Sequence, residues 1–142
     1  MNEFTVREAA VLLGVSDDTV RRWADAGRLQ IGKSSTGRHV IAGVALLPLL
    51  TEVAAESPLA ETFPAVKASA RNRFTGIITA VQKDGVMAQV DLQAGPFRVV
   101  SLMSREAADE LGLEPGMLAT ATAKATTVTI ETPVTKKQDP RA

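Results

Sequence analysis

The hydrophobic period changes partway along this chain, and that change limits the fold more than any single motif. In residues 4–31, FTVREAAVLLG and then VSDDTVRRWADAGRLQI, apolar side chains recur at helical spacing. In residues 69–130, from SARNRFTGIITAV to ATAKATTVTI, they alternate as in half-buried strands. A length of 142 residues therefore reads as two small domains. At about 50–65 residues each, neither buries a large core, and self-association is expected in at least one.

Local signals fill in the outline. Thr5 with Glu8 makes a capping box for a first helix, whose buried stripe is expected at Val6, Ala9, Ala10, Leu12 and Leu13. Gly14 ends that helix with positive φ. Ser16 caps a second, with Asp17 and Asp18 facing the positive end of the dipole and Val20, Trp23 and Ala24 turned inward. Gly27 stops it. GKSSTGRH reads as an exposed hairpin tip, with Val40 and Ile41 returning to the core. Residues 42–55 form a third helix that Pro48 must kink or begin afresh.

Residues 57–67 contain two prolines and no period, and read as a linker. Beyond it, Phe74, Ile77, Ile78 and Val81, then Val86, Ala88, Val90 and Leu92, mark two strands joined at Lys83-Asp84-Gly85. A third strand carries Phe97, Val99 and Leu102 after the Gly95-Pro96 turn. Ser104 caps a short helix with Ala107, Ala108 and Leu111 on its buried side. Two more strands are expected at 118–124 and 127–131, which would give a small closed or nearly closed barrel. The polar residues 133–142 are expected to be disordered.

Composition excludes several classes. Without cysteine there is no disulfide scaffold and no thiolate metal site, which fits a reducing cytoplasm. The N-terminus lacks a signal-peptide pattern, and the apolar runs fall far short of the roughly 18 residues of a membrane span, so a soluble cytoplasmic protein without a membrane partner is expected. No His, Asp and Glu cluster has metal-ligand spacing. Ser69, Ser101 and Ser104 have no histidine in their half to activate them, so neither catalysis nor a catalytic cofactor is expected.

With 16 basic and 16 acidic residues the net charge is zero, which argues against indiscriminate nucleic-acid binding. In the N-terminal half the distribution still favours DNA. Two short helices with a glycine-containing turn are the helix-turn-helix arrangement, whose second helix enters the major groove. Its outward face would carry Ser16, Asp18, Thr19, Arg21 and Arg22, and arginine presents a rigid donor fork to guanine edges or phosphates. Lys33, Ser35, Arg38 and His39 would form a wing against the backbone or minor groove. Trp23 reads as core by its spacing with Val20, and His39, the lone histidine, as a wing contact or simply exposed. The plainer account of this half is a helical protein-interaction module.

In the C-terminal half, the SARN and KATT segments supply hydroxyls, backbone N–H groups and cations, the donors a tetrahedral oxyanion accepts from. On chemistry alone, Arg71 and Lys124 read first as solvated strand-end charges and the hydroxyls as turn caps.

Two resemblances sharpen this. Residues 4–50, through A-A-x-x-L-G-V-S, T-V-R-R-W, A-G-R-L and G-R-H, resemble the N-terminal domain of the MerR and excisionase-like winged helix-turn-helix family. That likeness implies DNA-reading roles for Thr19, Arg21, Arg22, Arg38 and His39. The long dimerising helix of MerR activators has no counterpart here. Residues 68–131, through SARNRFTGIITAVQKDGVMAQVDL, SREAADELGLEPG and ATAKATTVTI, resemble the Mop or molbindin (TOBE-like) domain. This second likeness implies an OB-like barrel that binds molybdate or tungstate between subunits. It places the oxyanion site on Ser69, Ala70, Arg71, Asn72, Ser104, Lys124, Ala125 and Thr126, and makes Val86 and Met87 core or interface. The family commonly carries two such units in tandem, and here one is visible, so a homo-oligomer, dimer or hexamer, is implied.

The expected organisation is a winged helix-turn-helix domain at 1–56, all-α apart from its wing, a linker at 57–67, an OB-like all-β barrel with one short helix at 68–132, and a tail at 133–142. The leading functional expectation is a molybdate- or tungstate-responsive transcriptional regulator that binds double-stranded DNA. The alternatives are a molybdate buffering or storage protein with an accessory N-terminal module, and a constitutive DNA-binding protein that uses the barrel only to oligomerise.

Overall fold

The computed structural model describes residues 2–63 and 66–133. The tail expected to be disordered falls, from residue 134 on, outside the described residues. The chain divides into two compact units, with the boundary between Glu61 and Thr62, at the last residue of the helix that ends the first.

The first unit runs β1 (Glu3–Phe4), α1 (Val6–Leu13), α2 (Asp17–Asp25), β2 (Gly32–Lys33), β3 (His39–Ala42), α3 (Gly43–Ala55) and α4 (Pro58–Thr62). Thr5 and Glu8 close the capping box of α1, and Gly14 takes φ 72° at its end. Ser16 caps α2 by accepting the N–H of Thr19. β3 pairs with β2 on one side and β1 on the other, which makes the wing a hairpin with a third strand at its base. The core joins Ala9, Ala10 and Leu13 of α1 to Val20, Leu29, Ile41, Leu46 and Leu49, with Trp23 half-buried against them. Arg28 stacks over the Trp23 ring at 5.5 Å and pairs with Glu52, tying the end of α2 to α3.

Three expectations change here. Leu12 is 56% exposed, because this core takes Ala9, Ala10 and Leu13 from the stripe and leaves Leu12 on its flank. α3 is one helix through Pro48 and does not restart there. Burial of Leu46 and Leu49 on either side holds it against the single hydrogen bond the proline cannot donate. The segment read as a linker contains α4.

The second unit is a curled antiparallel sheet with one short helix: β4 (Asn72–Asp84), β5 (Met87–Ala94), β6 (Phe97–Ser104), α5 (Arg105–Glu110) and β7 (Leu118–Ala123), in sheet order β6-β5-β4-β7. β4 serves two neighbours, β7 along residues 72–77 and β5 along 77–84, with a register shift between Ile78 and Ala80. Its curl is tightest at Gly76, where an added Cβ would stand 2.0 Å from the Gln93 carbonyl oxygen. The expected fifth strand at 127–131 does not form. A 3₁₀ turn at Ala125–Thr127, closed by Thr127 donating through both N–H and hydroxyl to the Lys124 carbonyl, lifts the chain off the ladder, and Ile130 is 86% exposed. The sheet is therefore a half-barrel. Leu111, expected on the buried side of α5, is its C-cap residue and 65% exposed, lining the open cavity of the sheet. Val86 and Met87 are exposed, so neither is core within one chain.

Candidate oxyanion site and nucleic-acid interface

The start of β4 and the end of β7 meet at one rim of the half-barrel. Asn72 opposes Ala123, and its side-chain amide donates to the Ala123 carbonyl at 3.1 Å. Arg71 and Lys124 are the next residues along each strand past that last pair. Ser69, Ala70 and Arg71 lead into this contact on one segment, and Lys124, Ala125 and Thr126 lead away from it on the other. Ala70 is half-buried and the rest are exposed. Among the described residues neither Arg71 nor Lys124 forms an ion pair. Arg71 Nη1 makes only a long 3.5 Å contact to the Ala68 carbonyl. Two unpaired cations and two hydroxyls on opposing segments form a surface that favours an acceptor-only dianion.

Ser104 lies elsewhere. β6 pairs antiparallel with β5, setting Ser104 opposite Met87, while the Arg105 N–H donates to the Val86 carbonyl. This is the end of the sheet away from Asn72, since β4 runs from Asn72 to its turn beside Met87. The Ser104 hydroxyl caps α5 by accepting the Ala107 N–H. One chain therefore joins the two segments that carry seven of the eight candidate anion residues, through Asn72 and Ala123, and holds Ser104 apart. The concave face between these ends bounds a cavity of about 540 Å³ lined by residues such as Ile78, Val90, Leu92 and Met103. That lining is mostly apolar, with the hydroxyls of Ser101, Thr120 and Thr122 and no cation, and is unsuited to a dianion.

Two ion pairs brace the half-barrel. The Arg98 guanidinium beside Asp91, helped by a hydrogen bond from Gln89, lowers the Asp91 carboxyl below its ordinary range. Lys83 does the same for Asp109, linking β4 to α5. Among the described residues no cluster of His, Asp and Glu could hold a metal ion.

In the first unit, Ser16, Asp18, Thr19, Arg21 and Arg22 lie along α2 and its cap, all exposed except half-buried Thr19. Lys33, Ser35, Arg38 and His39 are exposed in the wing, where Lys33 pairs with His39 across the hairpin. The Ser34 hydroxyl accepts the Arg38 N–H, and the Ser34 N–H donates to the Arg38 carbonyl, which fixes the tip. Sequence reasoning offered Ser16 and Asp17 as residues that could orient the arginines, but not Thr19 as the link, whereas in α2 Arg22 donates to Thr19 and Thr19 meets Ser16. The spacing of positions 16, 19 and 22 is the signal that could have found that link.

Known proteins match both units. The TOBE domain family matches residues 68–130, and a helix-turn-helix domain family matches residues 3–52. Molybdenum-pterin-binding protein 3 of Clostridium pasteurianum is 41% identical over 63 residues, covering 44% of this chain and 93% of that one. Molybdenum-pterin-binding protein 2 of the same organism is 38% identical over the same shares. Among solved structures, a molybdate binding protein from Sporomusa ovata is 27% identical, with a TM-score of 0.46 over 47% of this chain and all of the other.

Proposed function

Because the chain belongs to the TOBE domain family through residues 68–130, we propose that it binds a tetrahedral oxyanion of the molybdate or tungstate class, as a cytoplasmic binding or buffering protein. The observation that carries this reading is the rim where Arg71 and Lys124 stand at adjoining strand ends, with no carboxylate partner among the described residues. Ser69, Arg71, Lys124 and Thr126 contact the anion directly, Ala70 and Ala125 offer backbone N–H groups, and Asn72 braces the two segments through Ala123. Ser104 sits at the other end of the sheet, so a site that includes it draws it from a second copy. This supports a homo-oligomer, dimer or hexamer, as the assembly that binds.

Calorimetric titration of the full chain with molybdate, tungstate and sulfate, with native mass measured in parallel, tests the reading. Saturable binding of the first two is expected, at fixed stoichiometry per assembly. No binding of either would refute it.

The relatives' names describe binding of molybdenum species, which supports buffering ahead of regulation. A second reading, a molybdate-responsive transcriptional regulator, is favoured by one specific observation. The N-terminal unit builds a helix-turn-helix with an ordered hairpin wing, and α2 exposes Arg21 and Arg22. T-V-R-R-W and G-R-H support the finer MerR- and excisionase-like assignment, with double-stranded DNA as partner. Repeating the titration with duplex DNA present separates the two. Anion and DNA that change each other's affinity by the same factor support regulation, and independent binding supports buffering.

A further inference from the structure

Neighbouring arginines on α2 are held in different ways. Arg22 Nη2 donates to Thr19 Oγ1 at 3.1 Å, and Thr19 Oγ1 lies 3.0 Å from Ser16 Oγ, which also accepts the Thr19 N–H at 3.1 Å. Three-residue intervals set these groups along one strip of the helix. Thr19 Oγ1, with one proton and two lone pairs, can serve both neighbours at once. Arg21 instead faces the Asp18 carboxylate at 3.7 Å, and both side chains are well exposed.

The partners differ in consequence. A hydroxyl leaves the Arg22 charge uncompensated and most of its five N–H groups free, while restricting the rotamers it samples before a ligand arrives. A carboxylate partner offsets the Arg21 charge, and at 3.7 Å the pair lies beyond hydrogen-bond distance, so it fixes no direction for the guanidinium. A guanidinium that reads a base must present two parallel N–H groups to O6 and N7 of guanine, which rewards orientation fixed in advance. A guanidinium on a phosphate needs no such register.

We propose that Thr19 is a positioning residue that sets Arg22 as a guanine reader, while Arg21 is left to the phosphate backbone. This rests on the DNA-binding reading above and goes beyond it by naming the base feature read, a guanine displaying O6 and N7 in the major groove.

The test uses the full chain and a pool of random duplexes, from which bound sequences are selected with the parent, Thr19→Ala, Thr19→Ser and Arg22→Ala. Trp23 fluorescence verifies the fold of each variant. The parent should enrich guanine at one position of its site, and Thr19→Ser should keep that enrichment. Measured against random duplex bound by the same variant, Thr19→Ala should lose roughly tenfold of the parent's guanine preference. Arg22→Ala should lose the preference entirely. Replacing that guanine by 7-deazaguanine, which lacks N7, should weaken the parent and leave Thr19→Ala nearly unchanged. Undiminished guanine preference in Thr19→Ala overturns the proposal, as does duplex binding by the parent with no guanine preference. If the parent binds no duplex at all, the DNA-binding reading itself falls and takes this inference with it.

Discussion

Gly76→Ala should unfold the half-barrel while leaving the N-terminal domain intact. The new Cβ would stand 2.0 Å from the Gln93 oxygen, 2.7 Å from its carbonyl carbon and 2.9 Å from the Ala94 Cα. All three are backbone atoms, so no side-chain rotation relieves the contact. β4 and the end of β5 would have to separate by about 1.4 Å to reach ordinary contact. That shift strains Ile77 against Gln93 and the Gly76–Ala119 rung to β7. Overpacking of this kind costs about 1–3 kcal/mol, and a clash confined to backbone belongs at the upper end. A domain of this size seldom holds more than about 3–5 kcal/mol of stability, so most of it would be lost. Two probes make the assay specific. Trp23 is the only tryptophan, and it packs in the N-terminal core, so its fluorescence reports that unit alone. Urea unfolding followed by far-ultraviolet circular dichroism should lose the strand transition at low denaturant, while the Trp23 transition stays in place. A Gly76→Ala protein whose strand transition lies within about 0.5 kcal/mol of the parent's would refute the tight crossing of β4 over β5.

Other perturbations test other parts of the account. Ser104→Ala should cost about 1 kcal/mol through loss of the α5 cap. A mixture of Ser104→Ala chains with Arg71→Ala/Lys124→Ala chains, reassembled together, should regain anion sites that neither variant has alone. Failure to regain them would remove Ser104 from the site. Arg22→Ala should lower affinity for a selected duplex by about 1–3 kcal/mol and relax its sequence preference, whereas Arg38→Ala should weaken all duplexes evenly and reduce the salt slope by about one. Equal effects on selected and random duplex would dissolve the distinction between reader and wing. Asp91 and Asp109 have carboxyls held below their ordinary values, so each stabilises the fold above about pH 3.9 and loses that contribution as pH falls through its lower folded value. Acid unfolding of Asp91→Asn should therefore depend less on pH below 4 than that of the parent, and an unchanged profile would contradict the role given to Arg98.

Much of this was legible because the signals are local. Thr5, Ser16 and Ser104 each accept an N–H three residues on, a geometry set by the helix start itself. Gly14 and Gly85 mark chain reversals that need positive φ. What escaped depends on contacts remote in sequence. Leu12 follows the helical period of its buried neighbours, yet the elements packed on α1 cover only the alanine side and Leu13. TVTI has strand composition, but a strand needs an edge to pair with, and the turn after Lys124 takes the segment off the ladder. The candidate site was legible as two blocks of residues. Its assembly was not, since Asn72 meets Ala123 from 51 positions away and the register of β5 and β6 carries Ser104 to the far end.

The most direct test of the central claim is a native mass titration of the full chain with molybdate, run beside the Arg71→Ala/Lys124→Ala variant. Each lost charge-assisted contact removes about 1.5–3 kcal/mol, so the double variant should bind no molybdate at concentrations that saturate the parent. Both proteins should show the same oligomeric mass and the same unfolding curve. A variant that assembles normally and still takes up molybdate as the parent does would contradict the account, because it would place the anion somewhere other than the rim where β4 begins and β7 ends.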